Sequence, residues 1–282
     1  MSKDQKNTKP KKKSSHKVGY EAARIIALAV FLACAGIIGD KIYGYIKDDE
    51  TQLEWLSQQE LNIGVTPVPP PEEKTPPPYP EVTPERITYP QIVTTDEIKR
   101  LGQYEDFVCW LYIENTNISN YVVQAGDNEF YLRKNIDKQT NGNGSLFMDF
   151  RCNPDTWERH NIVYGHNQKN GTMFSDLRDF NDPEFFKAHP IIYTYEPDGV
   201  KIWKVFSAYE TDTSDYYIET WFENDESYFD FIRNLQSKSI AETDVVLKET
   251  DKILTLSTCF KYSNPNGRYV VHAVLLEEAP LA

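Results

Sequence analysis

Between residues 107 and 276 the chain repeats one pattern eight times: a short run of β-branched and aromatic residues closed off by Asn, Gly, Asp or Pro. The runs are Phe107–Ile113, Tyr121–Gln124, Ser145–Phe150, Asn161–Tyr164, Ile191–Tyr195, Lys201–Glu210, Ile253–Ser257 and Arg268–Leu276. Each predicts a strand. So many short strands with few long helices predict a mainly β fold, an eight-stranded closed or nearly closed barrel, because closure removes exposed edges. Helical patterns interrupt the series. Thr94-Thr95-Asp96-Glu97 offers an N-cap and an acidic first turn for a helix to about Tyr104. Met173, Phe174, Leu177 and Phe180 recur at helical spacing, and Asp182-Pro183-Glu184 starts a further short turn that stops at Pro190. Trp221 to Leu235 carries Tyr228, Phe229, Phe231, Ile232 and Leu235, which predicts a helix just before the last two strands. These stripes read as core-facing packing. With 40% apolar residues, 18 Tyr, 14 Phe and 5 Trp, the chain can bury such a core, which excludes wholesale disorder.

Upstream of this body the chain changes character twice. Residues 1–24 hold eight Lys/Arg against Asp4 and Glu21, a net of about +6 in a chain whose formal charge is −13. An acidic remainder argues against nucleic acid as a partner, since phosphate binding needs a basic surface. Next comes the uncharged stretch Ile25 to Gly39, and residues 25–46 together predict a transmembrane signal-anchor whose ends snorkel. The alternative is a signal peptide with a small-residue cleavage site at Ala33-Cys34-Ala35. Either way the basic end stays in the cytoplasm and the rest crosses the membrane. Residues 47–90 read as a short helix followed by a polyproline stalk, because ten of the 17 prolines lie between Gly64 and Pro90. The expected order is therefore cytoplasmic tail, membrane helix, stalk, and a folded extracytoplasmic domain over residues 91–282.

Within that domain no phosphate loop, HExxH helix, CxxC pair or acidic calcium loop is present, and the chain's five histidines, four of them in the domain, do not cluster at ligand spacing. No metal and no cofactor are expected. Of the four cysteines, Cys34 lies in the membrane segment, Cys109 sits inside a strand as a small hydrophobe, and Cys152 falls in the polar turn RCNPD. Cys259 differs. It ends the run ILTLSTC and opens the loop Phe260 to Gly267, after which Arg268 starts the next strand. That hairpin brings a thiol and a guanidinium to one rim, and a nearby cation favours the thiolate a nucleophile requires. His166 follows another strand in YGHN, where Gly165 permits close backbone approach, and a histidine there can serve as general acid and base. The order His, Cys, Arg disfavours a papain-like hydrolase, in which Cys precedes His. His272 shares strand parity with Arg268 and reads as structural.

TLSTC at 255–259 with Arg268 in GRYVVHAVL, YGHN at 164–167, and the segments FVCWLYI, VVQAGDNEFYL and GSLFMDFR resemble the class B sortases over roughly residues 92–277. The resemblance implies an eight-stranded sortase-type β-barrel with a few peripheral helices. Its implied activity is that of a membrane-anchored cysteine transpeptidase of a Gram-positive surface. The enzyme would cleave the C-terminal sorting signal of secreted surface proteins after a threonine and transfer the acyl group to an amine of a peptidoglycan precursor or a pilin. The implied roles are Cys259 as nucleophile, His166 as acid and base, and Arg268 as holder of substrate backbone and oxyanion. The residues alone leave two other readings open: a secreted cell-wall thiol hydrolase or L,D-type transpeptidase, and a non-enzymatic surface binding domain. Phe260 departs from the class, which often has a small or polar residue after the cysteine.

Overall fold

The computed structural model describes residues 89–168, 170–259 and 266–281, and within them each predicted run forms a strand. In chain order these are β1 (Phe107–Ile113), β2 (Ser119–Val123), β3 (Leu146–Met148), β4 (His160–Gly165), β5 (Ile191–Glu196), β6 (Gly199–Asp212), β7 (Ile253–Cys259) and β8 (Gly267–Ala279). They close into a barrel in the order β1-β2-β3-β4-β7-β8-β6-β5. Two pairings are parallel, β2 with β3 and β4 with β7; the others are antiparallel. The expected cytoplasmic tail and membrane helix, nearly all of the stalk, and most of the loop after Cys259 lie outside the described residues. No helix among the described residues is long and apolar enough to cross a membrane.

Alternation along the strands divides the core. Leu254 and Leu256 of β7 and Val271 and Ala273 of β8 point into the barrel with Leu111, Val122, Leu146, Met148 and Trp203. Their neighbours Ile253, Val270 and Val274 face outward and pack beneath helix α3 (Asp225–Ser237), against Tyr228, Ile232 and Leu235. A central strand buried on both faces reads as near-continuous hydrophobicity broken only where a polar group finds a partner. Helix α1 (Thr95–Leu101) seals another side with Ile98 and Leu101 against Trp110, Tyr121 and Tyr195.

Helix boundaries follow their caps. The Thr94 hydroxyl accepts from Glu97 N at 3.2 Å, where the sequence places the start of α1. Asp182 caps α2 (Pro183–Ala188), with Pro183 in its first turn. The stripe at Met173 to Phe180 becomes a 3-10 turn over Ser175–Asn181 instead of a helix from Thr172. Met173 stands at φ 59° and bridges back to Asn167, which diverts the backbone before a regular helix can begin. Similarly, α3 starts at Asp225 and not at Trp221. Asn224 and Ser227 form a reciprocal capping box there, Asn224 Oδ1 accepting from Ser227 N at 2.8 Å.

A buried polar seam crosses four adjacent strands under α3. His160 on β4 donates from Nδ1 to Glu219 O at 2.6 Å, which leaves Nε2 as an acceptor for the Thr255 hydroxyl at 2.7 Å. Thr255 Oγ1 then accepts from His272 Nδ1 at 2.7 Å, and His272 Nε2 accepts from the Tyr209 hydroxyl at 3.1 Å. One terminal carbonyl thus sets every donor direction, and the chain is complete only with both imidazoles neutral. Burial pulls His160 down to about 4 and His272 well below its ordinary value.

Two predictions arise from these contacts. Tyr89 donates to Pro280 O at 2.5 Å and packs edge-on to Tyr195, whose hydroxyl donates to Pro90 O at 2.5 Å. A chain beginning at Tyr89 is expected to fold cooperatively, whereas one beginning at Gln91 should lose on the order of 2 kcal/mol, about 4–8 °C in Tm. Equal melting of the two would show that the contacts are idle. The second prediction concerns pH. Below about 6.5 the unfolded chain protonates both seam histidines and the folded chain does not, so stability is full above that pH and is lost toward about 4. Urea denaturation at pH 5.5 against pH 7.5 should reveal a loss of about 2–3 kcal/mol, at about 1.4 kcal/mol per pH unit and proton. The His160→Gln/His272→Gln double variant should remove most of that difference; an unchanged pH slope in it would refute the assignment.

Candidate active site

The parallel pairing of β4 with β7 sets Gly165 opposite Thr258, and the antiparallel pairing of β7 with β8 sets Cys259 opposite Arg268. Continuing the β4–β7 register by one residue places His166 beside Cys259. The three residues singled out in the sequence therefore occupy one row across three neighbouring chain segments, at one pole of the barrel. With neighbouring strands about 4.8 Å apart, the histidine and arginine backbones flank that of the cysteine on either side. By strand parity, positions 255 and 257 share a face with 268, 270 and 272. Arg268 is half-buried and donates from one terminal nitrogen to Gly267 O at 2.7 Å.

His166 is fixed at both ring and backbone. Its Nε2 donates to Leu132 O at 2.8 Å, from the 3-10 turn Phe130–Arg133, and its carbonyl accepts from Phe174 N at 3.0 Å. Because a carbonyl only accepts, the proton of the neutral ring sits on Nε2 and the lone pair on Nδ1. Burial holds the pKa below the ordinary imidazole value. At neutral pH, Nδ1 is a base. Gly165 makes this possible sterically, since a Cβ there would meet Leu146 at 2.4 Å and Phe174 at 2.7 Å.

Among the described residues, Cys109, Cys152 and His272 lie elsewhere. Cys109 is fully buried, which pushes its thiol well above the usual range. Cys152 lies in the expected turn, but its side chain is in the core, donates to His160 O at 3.6 Å and has its pKa pushed up to about 12 by burial. Neither supplies a thiolate at neutral pH. His272 belongs to the seam and is fully buried. An open cleft of about 660 Å³ between Thr156–Arg159, Thr220–Asp225 and Lys252 lies at the opposite ends of β4 and β7 and contains none of the three row residues.

Sequence reasoning missed the polar surround of the row. Asp149, just past β3, is fully buried and accepts from Arg151 Nε at 2.9 Å, Arg151 Nη2 at 2.8 Å, the Tyr164 hydroxyl at 2.9 Å and Asn128 Nδ2 at 3.1 Å. Burial pushes this carboxyl up, but the Arg151 guanidinium and the hydrogen bonds outweigh it and hold it below the usual carboxylate value. Tyr217 exchanges a 2.7 Å hydrogen bond with Ser257, two residues before Cys259. The signal for the first cluster was present in GSLFMDFR, where Asp and Arg stand two apart after a strand. Nothing in TSDYYIET announces that Tyr217 belongs with β7.

The domain that holds the row is similar to known proteins. The family model for the sortase domain matches residues 111–276. Sortase B of Listeria monocytogenes is 36% identical over 185 residues, which cover 64% of this chain and 74% of that protein. Sortase B of Staphylococcus aureus is 35% identical over 189 residues, covering 67% and 75% respectively. The solved complex of Staphylococcus aureus sortase B with substrate superposes with a TM-score of 0.61 at 35% identity, covering 65% of this chain and 86% of that one. With the barrel, the row and these likenesses in place, the chain belongs to the sortase family, the cysteine transpeptidases of cell-wall anchoring, and within it to the sortase B type.

Proposed function

We propose that Cys259, His166 and Arg268 carry out the transpeptidation, and that the donor is a sorting signal near the C-terminus of a secreted surface protein. The observation that supports this is the row: β7 and β8 pair Cys259 with Arg268, and His166 directly follows β4, whose last residue, Gly165, is paired with Thr258. His166 Nδ1 takes the Cys259 thiol proton, and the thiolate attacks the carbonyl carbon of the signal's threonine. Arg268 holds the substrate backbone and stabilises the tetrahedral oxyanion. As the C–N bond breaks, the imidazolium returns the proton to the departing amine and a thioacyl enzyme remains. An incoming amine then attacks the thioester and gives its proton to His166; the new amide forms, and the thiol is regenerated. The acceptor is an amine of a cell-wall peptide, with a pilin lysine as the other acceptor of the same chemistry. Residues 25–46 anchor the enzyme in the membrane, with the N-terminus in the cytoplasm and the catalytic domain outside. The basic lead-in and the uncharged stretch that follows it support that placement.

Cys259→Ala and His166→Ala are expected to abolish release of a sorting-signal peptide, while Cys109→Ala and Cys152→Ala keep most activity. Arg268→Lys should lower turnover about 100-fold or more, the scale of one lost oxyanion donor, because lysine lacks the planar fork. Its thiol should still react with a small alkylating agent, since the positive charge remains. Product analysis with and without an added amine separates transfer from hydrolysis. Full activity of Cys259→Ala, or wild-type turnover by Arg268→Lys, would overturn these roles.

A further inference from the structure

Five consecutive residues of the irregular connection between β6 and α3 are held in place by polar contacts from other parts of the fold. Asp215 accepts from Lys238 Nζ at 2.6 Å, the Tyr216 hydroxyl accepts from Arg151 at 3.3 Å, and Tyr217 is bonded to Ser257 at 2.7 Å. Ile218 O accepts from Arg151 Nη2 at 3.0 Å, and Glu219 O accepts from His160 at 2.6 Å. This strap has no sheet or helix ladder of its own, so side chains decide where it lies. Arg151 supplies two of the five contacts. Its guanidinium is aimed by Asp149, which it engages through two nitrogens, and the same carboxylate takes the hydroxyl of Tyr164, two residues before His166. On the other side the strap is bonded to Ser257, two residues before Cys259.

We propose that Arg151 is a positioning residue for the reaction: oriented by Asp149, it clasps the Asp215–Glu219 strap against the face of β4 and β7 that leads to His166 and Cys259. A peptide arriving at the row meets a border already in place, and the entropy of ordering it is not charged to binding. The fork is essential to this. Arg151 spans a carboxylate on one edge and a carbonyl and a phenol on the other, whereas a lysine at that position reaches Asp149 but not the strap as well. Because lysine preserves the charge opposite the buried carboxylate, Arg151→Lys leaves the core compensated and folded, which makes it the decisive variant.

The inference rests on the roles given above to Cys259 and His166, and the test keeps the two apart. In the full chain, hydrogen exchange and steady-state kinetics with a sorting-signal peptide would be compared for wild type, Arg151→Lys and Arg151→Ala. Arg151→Lys should exchange faster over residues 213–222 with β7 unchanged, and should raise KM ten-fold or more with kcat within three-fold. Arg151→Ala, whose cavity reaches solvent, should regain affinity on addition of millimolar methylguanidinium. Unaltered exchange over 213–222 in Arg151→Lys, or a fall in kcat at constant KM, would overturn the clasp. Failure of the wild-type protein to release peptide would count against the catalytic roles, while the exchange measurement would still decide the clasp.

Discussion

The parallel pairing of β4 with β7 is the constraint on which the rest of the molecule depends. Parallel neighbours cannot be joined by a tight turn, so everything between Gly165 and Ile253 belongs to one long crossover. That crossover contains β5, β6, the strap and α3, and the last two return to cover the outer face of the pair they connect. Parallel direction also delivers the C-terminal ends of both strands to one pole, and there the chain places His166 and Cys259. An antiparallel arrangement would have separated them by the length of a strand. β8 then enters antiparallel from the loop after Cys259 and brings Arg268 to the same row.

Covering β7 on both faces has a chemical consequence. Thr255 and Ser257, on the face of β7 beneath α3 and the strap, would be costly to bury unpaired, and both are hydrogen-bonded: Thr255 within the histidine seam, Ser257 to Tyr217. The seam runs one way because its last acceptor is a carbonyl, and its two imidazoles are kept neutral by burial. The two seam histidines therefore have no lone pair to spare for a reaction at the row. The same burial silences Cys109 and Cys152.

The strands were legible because period-two patterning and turn residues are local signals, and the row was legible because strand ends carry it. FVCWLYI coincides with β1, and ILTLSTC with β7, to the residue. What failed was also local: the start of α3 yields to a capping box at Asn224, and Met173 leaves the helical region to bridge Asn167. The turn at Cys152 was legible, but a turn in the backbone says nothing of where its side chain packs, and this one packs in the core. The Asp149–Arg151 pair is local, but the reach of Arg151 to Ile218 lies beyond any sequence rule, since 67 residues separate donor from acceptor. Such contacts are a property of closure and not of pattern.

The tautomer of His166 orders the chemistry further. With Nε2 donating to Leu132 O, the lone pair of the neutral ring lies on Nδ1. In the proposed acylation one proton would then move from sulfur to Nδ1 to the leaving nitrogen, and the second half would reverse the path from the incoming amine. A histidine held this way needs no second residue to set its tautomer, because a backbone carbonyl does so without carrying charge. The guanidinium of Arg268 lies on the side of Cys259 away from His166, where the proposed reaction would use it at the oxyanion.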